Sequence, residues 1–138
     1  MTLVALVAVA VGCGGGGSSS RGQLSESEFK SKANAICSDL KDETKRMDNA
    51  QDFDAALNAT NEAIKKLKAL QPPASLSAKY QAYLDSVDAG VSVLTKAVKA
   101  LDDNDFAKAA RLAPRAAQIS RKSEAAARAT GLDACAKT

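Results

Sequence analysis

Three cysteines, Cys13, Cys37 and Cys135, are the most reactive side chains in this sequence of 138 residues. None of them lies in a C-x-x-C motif, so the pattern gives no support for thioredoxin-like redox chemistry. Histidine is absent, which excludes His-based acid–base catalysis, the Ser-His-Asp and Cys-His nucleophile systems, and haem or zinc sites with histidine ligands. The cysteines can form disulfides or be modified, but they lack the partners for nucleophilic catalysis.

Motifs of catalytic and nucleotide-binding loops are also missing from the sequence. It contains no G-x-S-x-G motif, no Walker loop and no Gly-rich dinucleotide turn, because most of its glycines lie together in the segment 12–22. We therefore predict that the protein is not an enzyme and that it needs no cofactor.

Carboxylates cluster in one stretch, at Asp39, Asp42, Glu43 and Asp48. Such a cluster is either a cation site or acid–base pair, or a solvated helix face with partners four residues apart, such as Asp42 with Arg46. A ferritin-like site with two metal ions requires Glu-x-x-His, which this chain cannot supply. We favour the solvated face and predict no metal site.

Basic residues form a stripe at Lys108, Arg111, Arg115 and Lys122, because their spacings of three, four and seven residues place them on one helical face. This basic stripe is a candidate contact for anionic lipid headgroups or envelope polymers. The favoured alternative is charge complementarity with an acidic neighbour such as the first helix, or simple solvation. No aromatic residues alternate with the basic ones, so we expect no nucleic-acid partner.

The first residues have the features of an export signal. The apolar run Leu3–Val11 is too short to cross a bilayer, which takes about 20 residues, but suits the hydrophobic region of a secretory signal. The segment Ala10–Cys13 resembles a bacterial lipobox, whose cysteine receives diacylglycerol and becomes the first residue of the mature protein. The resemblance implies a signal peptide over 1–12 and lipidation of Cys13. The alternative is a buried N-terminal segment in which the cysteine is incidental.

The residues after Cys13 read GGGGSSSRG, a composition that forms a flexible coil. A coil of nine residues has a root-mean-square reach of about 15–18 Å. We interpret 13–22 as a lipidated cysteine with a flexible tether and 23–138 as the folded domain. The expected location is the extracytoplasmic face of the cell membrane, where a diacyl anchor holds the protein stably.

The composition favours helices for the folded part. Apolar residues make up 46% of the chain and charged residues 25%, which are ordinary globular values. Aromatic residues are only 4%, Trp is absent and Ala is abundant, whereas a β-sandwich would be richer in β-branched and aromatic residues. An all-α domain is therefore expected.

Four amphipathic segments follow one another along 23–138, and short turn signals separate them. The Pro72-Pro73 pair ends the second segment, and the run 102–105 separates the third from the fourth. The spacing of apolar and small residues by three and four predicts these inner faces: Phe29, Ala33, Ile36, Cys37, Leu40 and Met47; Phe53, Ala56, Leu57, Thr60, Ile64, Leu67 and Leu70; Leu76, Tyr80, Tyr83, Leu84, Val87, Val91, Leu94, Val98 and Leu101; Phe106, Ala109, Leu112, Ala113, Ala116, Ile119, Ser120, Ser123 and Ala127.

Helix ends are marked by capping residues. Ser25 and Glu28 form an S-x-x-E capping box, with Leu24 and Phe29 as its hydrophobic staple. Gly131 is expected to end the fourth helix in a Schellman cap with Leu132 as the apolar partner. The other candidate N-caps are Asp52 for the second helix, Ser75 or Ser77 for the third, and Asn104 or Asp105 for the fourth.

These segments predict an antiparallel up-down four-helix bundle. Pro114 lies inside the last helix, where its ring removes one amide hydrogen bond, so we expect a kink at that position. The alternative is a three-helix bundle whose last helix is split there.

A disulfide between Cys37 and Cys135 follows from this topology. With Cys13 committed to lipid, two cysteines remain in an exported domain, where disulfides persist. In an up-down bundle the fourth helix ends near the start of the first, so the tail beyond Gly131 can turn back and reach Cys37. The competing interpretation is two separate buried thiols.

The order of motifs along the chain resembles that of small helical lipoproteins of actinobacterial type. The shared features are F-x-x-x-A-N-A-I-C at Phe29–Cys37, Leu70-x-Pro72-Pro73, Asp105-Phe106 and Gly131-Leu132-x-x-Cys135. The resemblance extends over almost the whole chain, and the glycine runs look like those of lipoproteins from high-GC Gram-positive bacteria. It implies fold and location and brings no activity with it.

Two functions from different classes are compatible with these features. The first is a non-enzymatic envelope lipoprotein that binds or scaffolds a protein or polymer partner. The second is a carrier that holds a small apolar ligand or lipid between its helices. A large apolar cavity favours the carrier, and a closed core with an exposed apolar or basic patch favours the interaction module.

Tyr80 and Tyr83 are expected in the core at one bundle end, with a small pocket as the alternative.

Overall fold

The computed structural model describes residues 23–46 and 53–137, with Phe53 described by its backbone alone. Several sequence-based predictions fall outside these ranges. They concern the signal peptide 1–12, the tether 13–22, the lipidation site Cys13, the inner-face residue Met47, the carboxylate Asp48 and the cap Asp52.

The described chain is all-helical, and its helices pack as a four-helix bundle, which confirms the predicted fold class. The third and fourth helices have the most extensive contact with each other, and the first and second helices have the next most extensive contact. The helices are α1 (Glu26–Thr44), α2 (Phe53–Ala69), α3 (Ala74–Asp102) and α4 (Phe106–Thr130), and a 3₁₀ turn follows at Cys135–Lys137.

The start of α1 has the capping box expected from the sequence. The Ser25 side chain accepts a hydrogen bond from the Glu28 amide at 3.3 Å, and the Ser25 amide donates to the Glu28 carboxylate at 3.1 Å. The Ser25 hydroxyl also donates to the Glu28 carboxylate at 2.6 Å, and this bond, together with the one from the Ser25 amide, lowers the pKa of the Glu28 carboxyl below its usual value. The Leu24 amide donates to the carbonyl of Gln71 at 3.3 Å, which places the start of α1 beside the turn between α2 and α3.

The start of α3 differs from the prediction of a serine cap. The helix begins at Ala74 with Pro73 as its N-cap, and no side chain caps it. Pro73 has φ −62° and ψ 153°, so the chain turns into the helix directly after the proline pair. Ser75 and Ser77 consequently lie inside the first turn, too late in the chain to act as N-caps.

The turn between α3 and α4 explains how two long helices follow each other so closely. Asn104 has a left-handed φ of 57°, and the Asp105 amide donates to the Ala100 carbonyl at 2.7 Å, as in a Schellman motif. The Asp105 side chain accepts from the Lys108 amide at 2.9 Å. Of the two candidate caps, Asp105 is therefore the N-cap of α4, and Asn104 ends α3.

Helix α4 runs without interruption through Pro114. The split three-helix alternative is therefore wrong, whereas the kink at this proline stays a prediction. The helix ends as predicted at Gly131, which has φ 77°. The Leu132 amide donates to the Ala127 carbonyl at 2.9 Å, and the Gly131 amide donates to the Arg128 carbonyl at 3.0 Å, which together form a Schellman cap.

The core lies at the bundle end where α1 begins and α4 ends. Phe29 and Leu132 are fully buried there, and the Phe29 ring meets the Tyr80 ring edge-on with centroids 4.7 Å apart. We call this region the closed end. Its buried residues are Phe29, Ala33, Cys37, Leu67, Leu76, Tyr80, Tyr83, Leu84, Ala127, Leu132, Cys135 and Ala136.

The other half of the bundle corrects the predicted inner faces of α3 and α4. Leu94, Leu101 and Phe106, all expected inside, are 36%, 46% and 66% exposed, whereas Val93 and Ala100 are buried. Helix α3 has 29 residues and α1 has 19, so α3 is about 15 Å longer at a rise of 1.5 Å per residue. The described part of α1 and α2 leaves this end of the α3–α4 pair uncovered, and we call this part of the bundle the uncovered half.

Candidate functional site

The four helices surround an apolar cleft with a volume of about 500 Å³. We call it the interhelical cleft. It borders the closed end, with which it shares Cys37, Leu67, Tyr83 and Cys135, and its described lining comes from every helix and from the 3₁₀ turn. The apolar lining residues are Cys37, Leu40, Ala63, Ile64, Leu67, Tyr83, Val87, Gly90, Val91, Leu94, Ala116, Ile119 and Cys135.

The floor of the cleft is the disulfide between Cys37 and Cys135, whose Cα atoms are 5.0 Å apart. The predicted pairing is confirmed, and the interpretation as two separate thiols is wrong. The Tyr83 hydroxyl lies 3.9 Å from the Cys37 sulfur. A disulfide sulfur carries no proton, so the hydroxyl is the donor of this weak contact.

The two tyrosines beside the floor are both buried, as predicted, and Tyr83 also lines the cleft. Burial raises the pKa of Tyr83 to about 12 and raises that of Tyr80 further. The Tyr80 hydroxyl donates to the Leu67 carbonyl at 2.7 Å. Both hydroxyls are therefore neutral at physiological pH, and the floor carries no formal charge.

Small residues create the empty space between the helices. Ala63, Gly90 and Ala116 stand on three different walls of the cleft, where larger side chains would meet across it. A Cβ built at Gly90 would lie 3.5 Å from the Ile119 methyl group, an ordinary contact. The backbone at Gly90 therefore leaves room for a methyl group beside α4.

One wall also separates the cleft from a second, polar groove of about 470 Å³. Ile64 and Val91 line both spaces. The Lys68 ammonium contacts the Asp88 carboxylate at 2.8 Å beside this groove, and the pair joins α2 to α3. The cleft is thus closed on this side by an apolar wall and an ion pair.

The charged residues that line the cleft lie at its rim. Lys45 and Lys137 are exposed, and Lys41 and Glu124 are half-buried. Lys45 contacts Asp42 at 3.6 Å, and Glu124 contacts Arg128 at 3.9 Å. Neither Lys41 nor Lys137 forms a salt bridge with a residue that the structure describes.

The opening lies between α1 and α4. The exposed members of the lining include Lys45, the C-cap residue of α1, Ala116 and Ser120 on α4, and Leu94 on α3. Sequence reasoning missed this opening because it assigned the same α3 and α4 positions to a filled core. The signal was present in the small inner residues of α4, which cannot span the distance to α1.

The basic stripe lies outside the interhelical cleft. Lys108, Arg111, Arg115 and Lys122 are all exposed on α4, and none of them lines the cleft. Within 23–46 and 53–137 none of them forms a salt bridge, so charge pairing with the acidic face of α1 is not seen there. The stripe is available to solvent or to an anionic surface.

The acidic residues of α1 form no site in the described part of the chain. Asp42 pairs with Lys45 rather than with Arg46 as expected. No group of His, Cys, Asp and Glu side chains among the described residues has an arrangement that would hold a metal ion.

None of the described helices has both the length and the apolar composition needed to span a bilayer.

Comparison with known proteins gives no match: none is found among protein-family models, curated proteins or solved structures.

Proposed function

We propose that this protein is a non-enzymatic, lipid-anchored carrier of the cell envelope, which holds a small apolar ligand or lipid between its helices. The interhelical cleft carries the proposal, because it has an apolar lining and a volume of about 500 Å³. Small-molecule sites occupy about 300–1,000 Å³ and are lined mostly by hydrophobic side chains.

The proposed anchor is Cys13, joined to the domain by the tether 13–22. The first described residues lie at the closed end, where the Leu24 amide bonds to Gln71. The tether would therefore leave the domain beside its well-packed core, and the uncovered half would point away from the attachment point. This arrangement leaves the cleft open to ligands in the envelope.

A second candidate function is an interaction module for an envelope protein or polymer. Phe106 is 66% exposed and Leu101 is 46% exposed at the tip of the α3–α4 pair. Arg111 and Arg115 follow on α4, and both are exposed. Exposed apolar residues beside positive charge are a usual composition of binding surfaces.

The carrier proposal is tested with the neutral fluorophore N-phenyl-1-naphthylamine. The protein is the full chain with Cys13→Ser, which prevents lipidation and leaves the cleft unchanged. Gly90→Leu places a side chain on the cleft wall and should abolish the fluorescence increase. Ala89→Leu adds the same side chain at an exposed neighbouring position and should leave binding unchanged. Equal binding by both variants, or none by the parent, would contradict a carrier.

The anchor is tested separately by mass spectrometry of protein extracted from membranes of the native host. The expected mature chain begins at Cys13 and carries a diacylglycerol group. An intact Met1, or an unmodified Cys13, would show that the chain is not a lipoprotein.

A further inference from the structure

We infer that the ligand of the interhelical cleft is a single-chain amphiphile with an anionic headgroup, such as a fatty-acid carboxylate. This inference rests on the proposed carrier function and specifies its ligand. It follows from the separation between an uncharged interior and a cationic rim.

The interior of the cleft suits a hydrocarbon chain and cannot neutralise a charge. The buried lining residues, from the disulfide at the floor to Ala63 and Ile64, carry no formal charge. The Tyr83 hydroxyl at the floor is neutral at physiological pH, because a phenol has an ordinary pKa of about 10 and burial raises the pKa of Tyr83 above that value. An ionised headgroup moved to this depth would lose its hydration without gaining a cation, at a cost of several kcal/mol. The headgroup therefore stays at the rim and the chain points inward.

Among the residues that the structure describes, the rim has an excess of positive charge on the α1 side of the opening. Lys41 lies one helical turn beyond Cys37, and Lys137 lies two residues beyond Cys135. The disulfide holds the two backbones together, and both lysines line the cleft. Both lysines are without a salt bridge among the described residues, whereas the rim carboxylate Glu124 is matched by Arg128 at 3.9 Å. An anionic headgroup would complement these two cations.

The size of the cleft favours one chain over two. Its volume of about 500 Å³ lies in the lower half of the range for small-molecule sites, about 300–1,000 Å³. Bulky groups at the floor, the disulfide and the Tyr83 ring, stop the cleft before the closed end. A single acyl chain can enter between α1 and α4, whereas a diacyl lipid would leave much of its second chain in water.

The experiment is displacement of bound N-phenyl-1-naphthylamine from the full chain carrying Cys13→Ser. The displacing probes are dodecanoate, dodecan-1-ol and dodecyltrimethylammonium, all below the concentrations at which they form micelles. They have the same chain and differ in headgroup charge. Dodecanoate is expected to bind most tightly and the cation most weakly. Dioctanoylphosphatidylglycerol, an anion with two chains, is expected to displace the probe less well than dodecanoate.

Variants at the rim give the decisive comparison. Lys41→Gln with Lys137→Gln should weaken dodecanoate binding by up to about fivefold per lysine, the effect of an exposed ion pair of at most about 1 kcal/mol, and should leave dodecanol binding unchanged. The control is Lys66→Gln with Lys79→Gln, two exposed lysines outside the cleft. It should leave the affinity for both probes unchanged.

The outcomes separate the two levels of the proposal. If the alcohol displaces the fluorophore as well as the carboxylate does, and the Lys41/Lys137 variant matches the Lys66/Lys79 control, the cleft is a carrier site without preference for anions and the inference is wrong. If the phosphatidylglycerol binds more tightly than dodecanoate, the single-chain assignment is wrong. If the fluorophore does not bind at all, the carrier function itself fails.

Discussion

The closed end and the uncovered half of the bundle use the same helices and differ in what fills the space between them. At the closed end the rings of Phe29 and Tyr80 meet in the centre, and the disulfide joins α1 to the tail of the chain. In the uncovered half the inward positions are occupied by residues such as Gly90 and Ala116. One end is consequently a packed core, and the other contains the interhelical cleft.

This difference shows how a small bundle can stay folded while part of its interior is open. Empty apolar space costs stability, by about 24 cal/mol per Å³ in core-truncation series. The aromatic core and the disulfide concentrate stabilising interactions at one end. The following substitutions test whether stability and binding are divided between the two regions in this way.

Removing the disulfide should have one of the two largest effects on stability, together with the loss of the Phe29 ring. In the Cys13→Ser background, Cys37→Ser with Cys135→Ser should lower the free energy of unfolding by about 2–5 kcal/mol, because the bond restricts a loop of about 100 residues in the unfolded chain. Urea unfolding followed by circular dichroism measures this loss. The reduced parent should unfold at the same urea concentration as the double variant. An unchanged midpoint would mean that the packed side chains alone hold the closed end.

Truncating an aromatic side chain should destabilise the protein strongly at the closed end and hardly at all at the tip of the α3–α4 pair. Phe29 is fully buried, so Phe29→Ala should lower the free energy of unfolding by about 3–5 kcal/mol. Phe106 is mostly exposed, and Phe106→Ala should change the free energy of unfolding by no more than about 0.5 kcal/mol. The same urea titration measures the free energy of unfolding of both variants. Similar losses would show that the tip of the α3–α4 pair is packed in solution.

Alanine at two glycines should change stability in opposite directions. Gly131 has φ 77°, and its added Cβ would lie 2.7 Å from the Lys30 side chain, so Gly131→Ala should cost about 1–2 kcal/mol for the left-handed backbone. Gly90 is helical with room for a methyl group, so Gly90→Ala should stabilise by about 0.4–1 kcal/mol. Thermal unfolding of both variants shows which substitution lowers the stability and which raises it. A loss at Gly90 would indicate that the α3–α4 contact is tighter than 3.5 Å.

Neutralising the basic stripe should have the smallest effect and should leave the cleft unaffected. Lys108→Gln, Arg111→Gln and Arg115→Gln together should weaken binding to anionic vesicles a few-fold, and added salt should remove the difference, because the Debye length is about 8 Å at physiological ionic strength. The control variant changes Lys66, Lys79 and Lys96 to Gln, which removes the same charge elsewhere. Vesicle sedimentation measures the binding of the stripe variant and of the control variant. Equal binding to neutral and anionic vesicles would show that the stripe does not mediate contact with anionic surfaces.

Local signals in the sequence predicted the fold well. The capping box at Ser25 and Glu28, the end of α2 before Pro72-Pro73 and the Schellman cap at Gly131 depend on neighbouring residues, so a short stretch of sequence contains the whole signal. The disulfide was also predictable, because an up-down topology brings the last helix end to the first helix.

The candidate site was much less predictable. Val87, Val91 and Leu94 have the spacing of core residues, and periodicity shows only which side of a helix is apolar. The distance to the opposing helix depends on helix lengths, on crossing angles and on the sizes of side chains from distant parts of the chain. The rim lysines were missed for the same reason, since Lys41 and Lys137 are 96 positions apart and line the same cleft only in the folded bundle.

By itself the sequence determined the helical class, most of the helix ends, the cysteine pair and the absence of histidine chemistry, because these depend on residue type and local spacing. Only the tertiary structure decided that α3 and α4 extend beyond the described part of α1 and α2, that Phe106 is exposed, and that the small residues of four helices leave a cleft rather than close contacts. The physical reason is that a cavity belongs to no single segment. It is the volume that remains when side chains from all segments have packed.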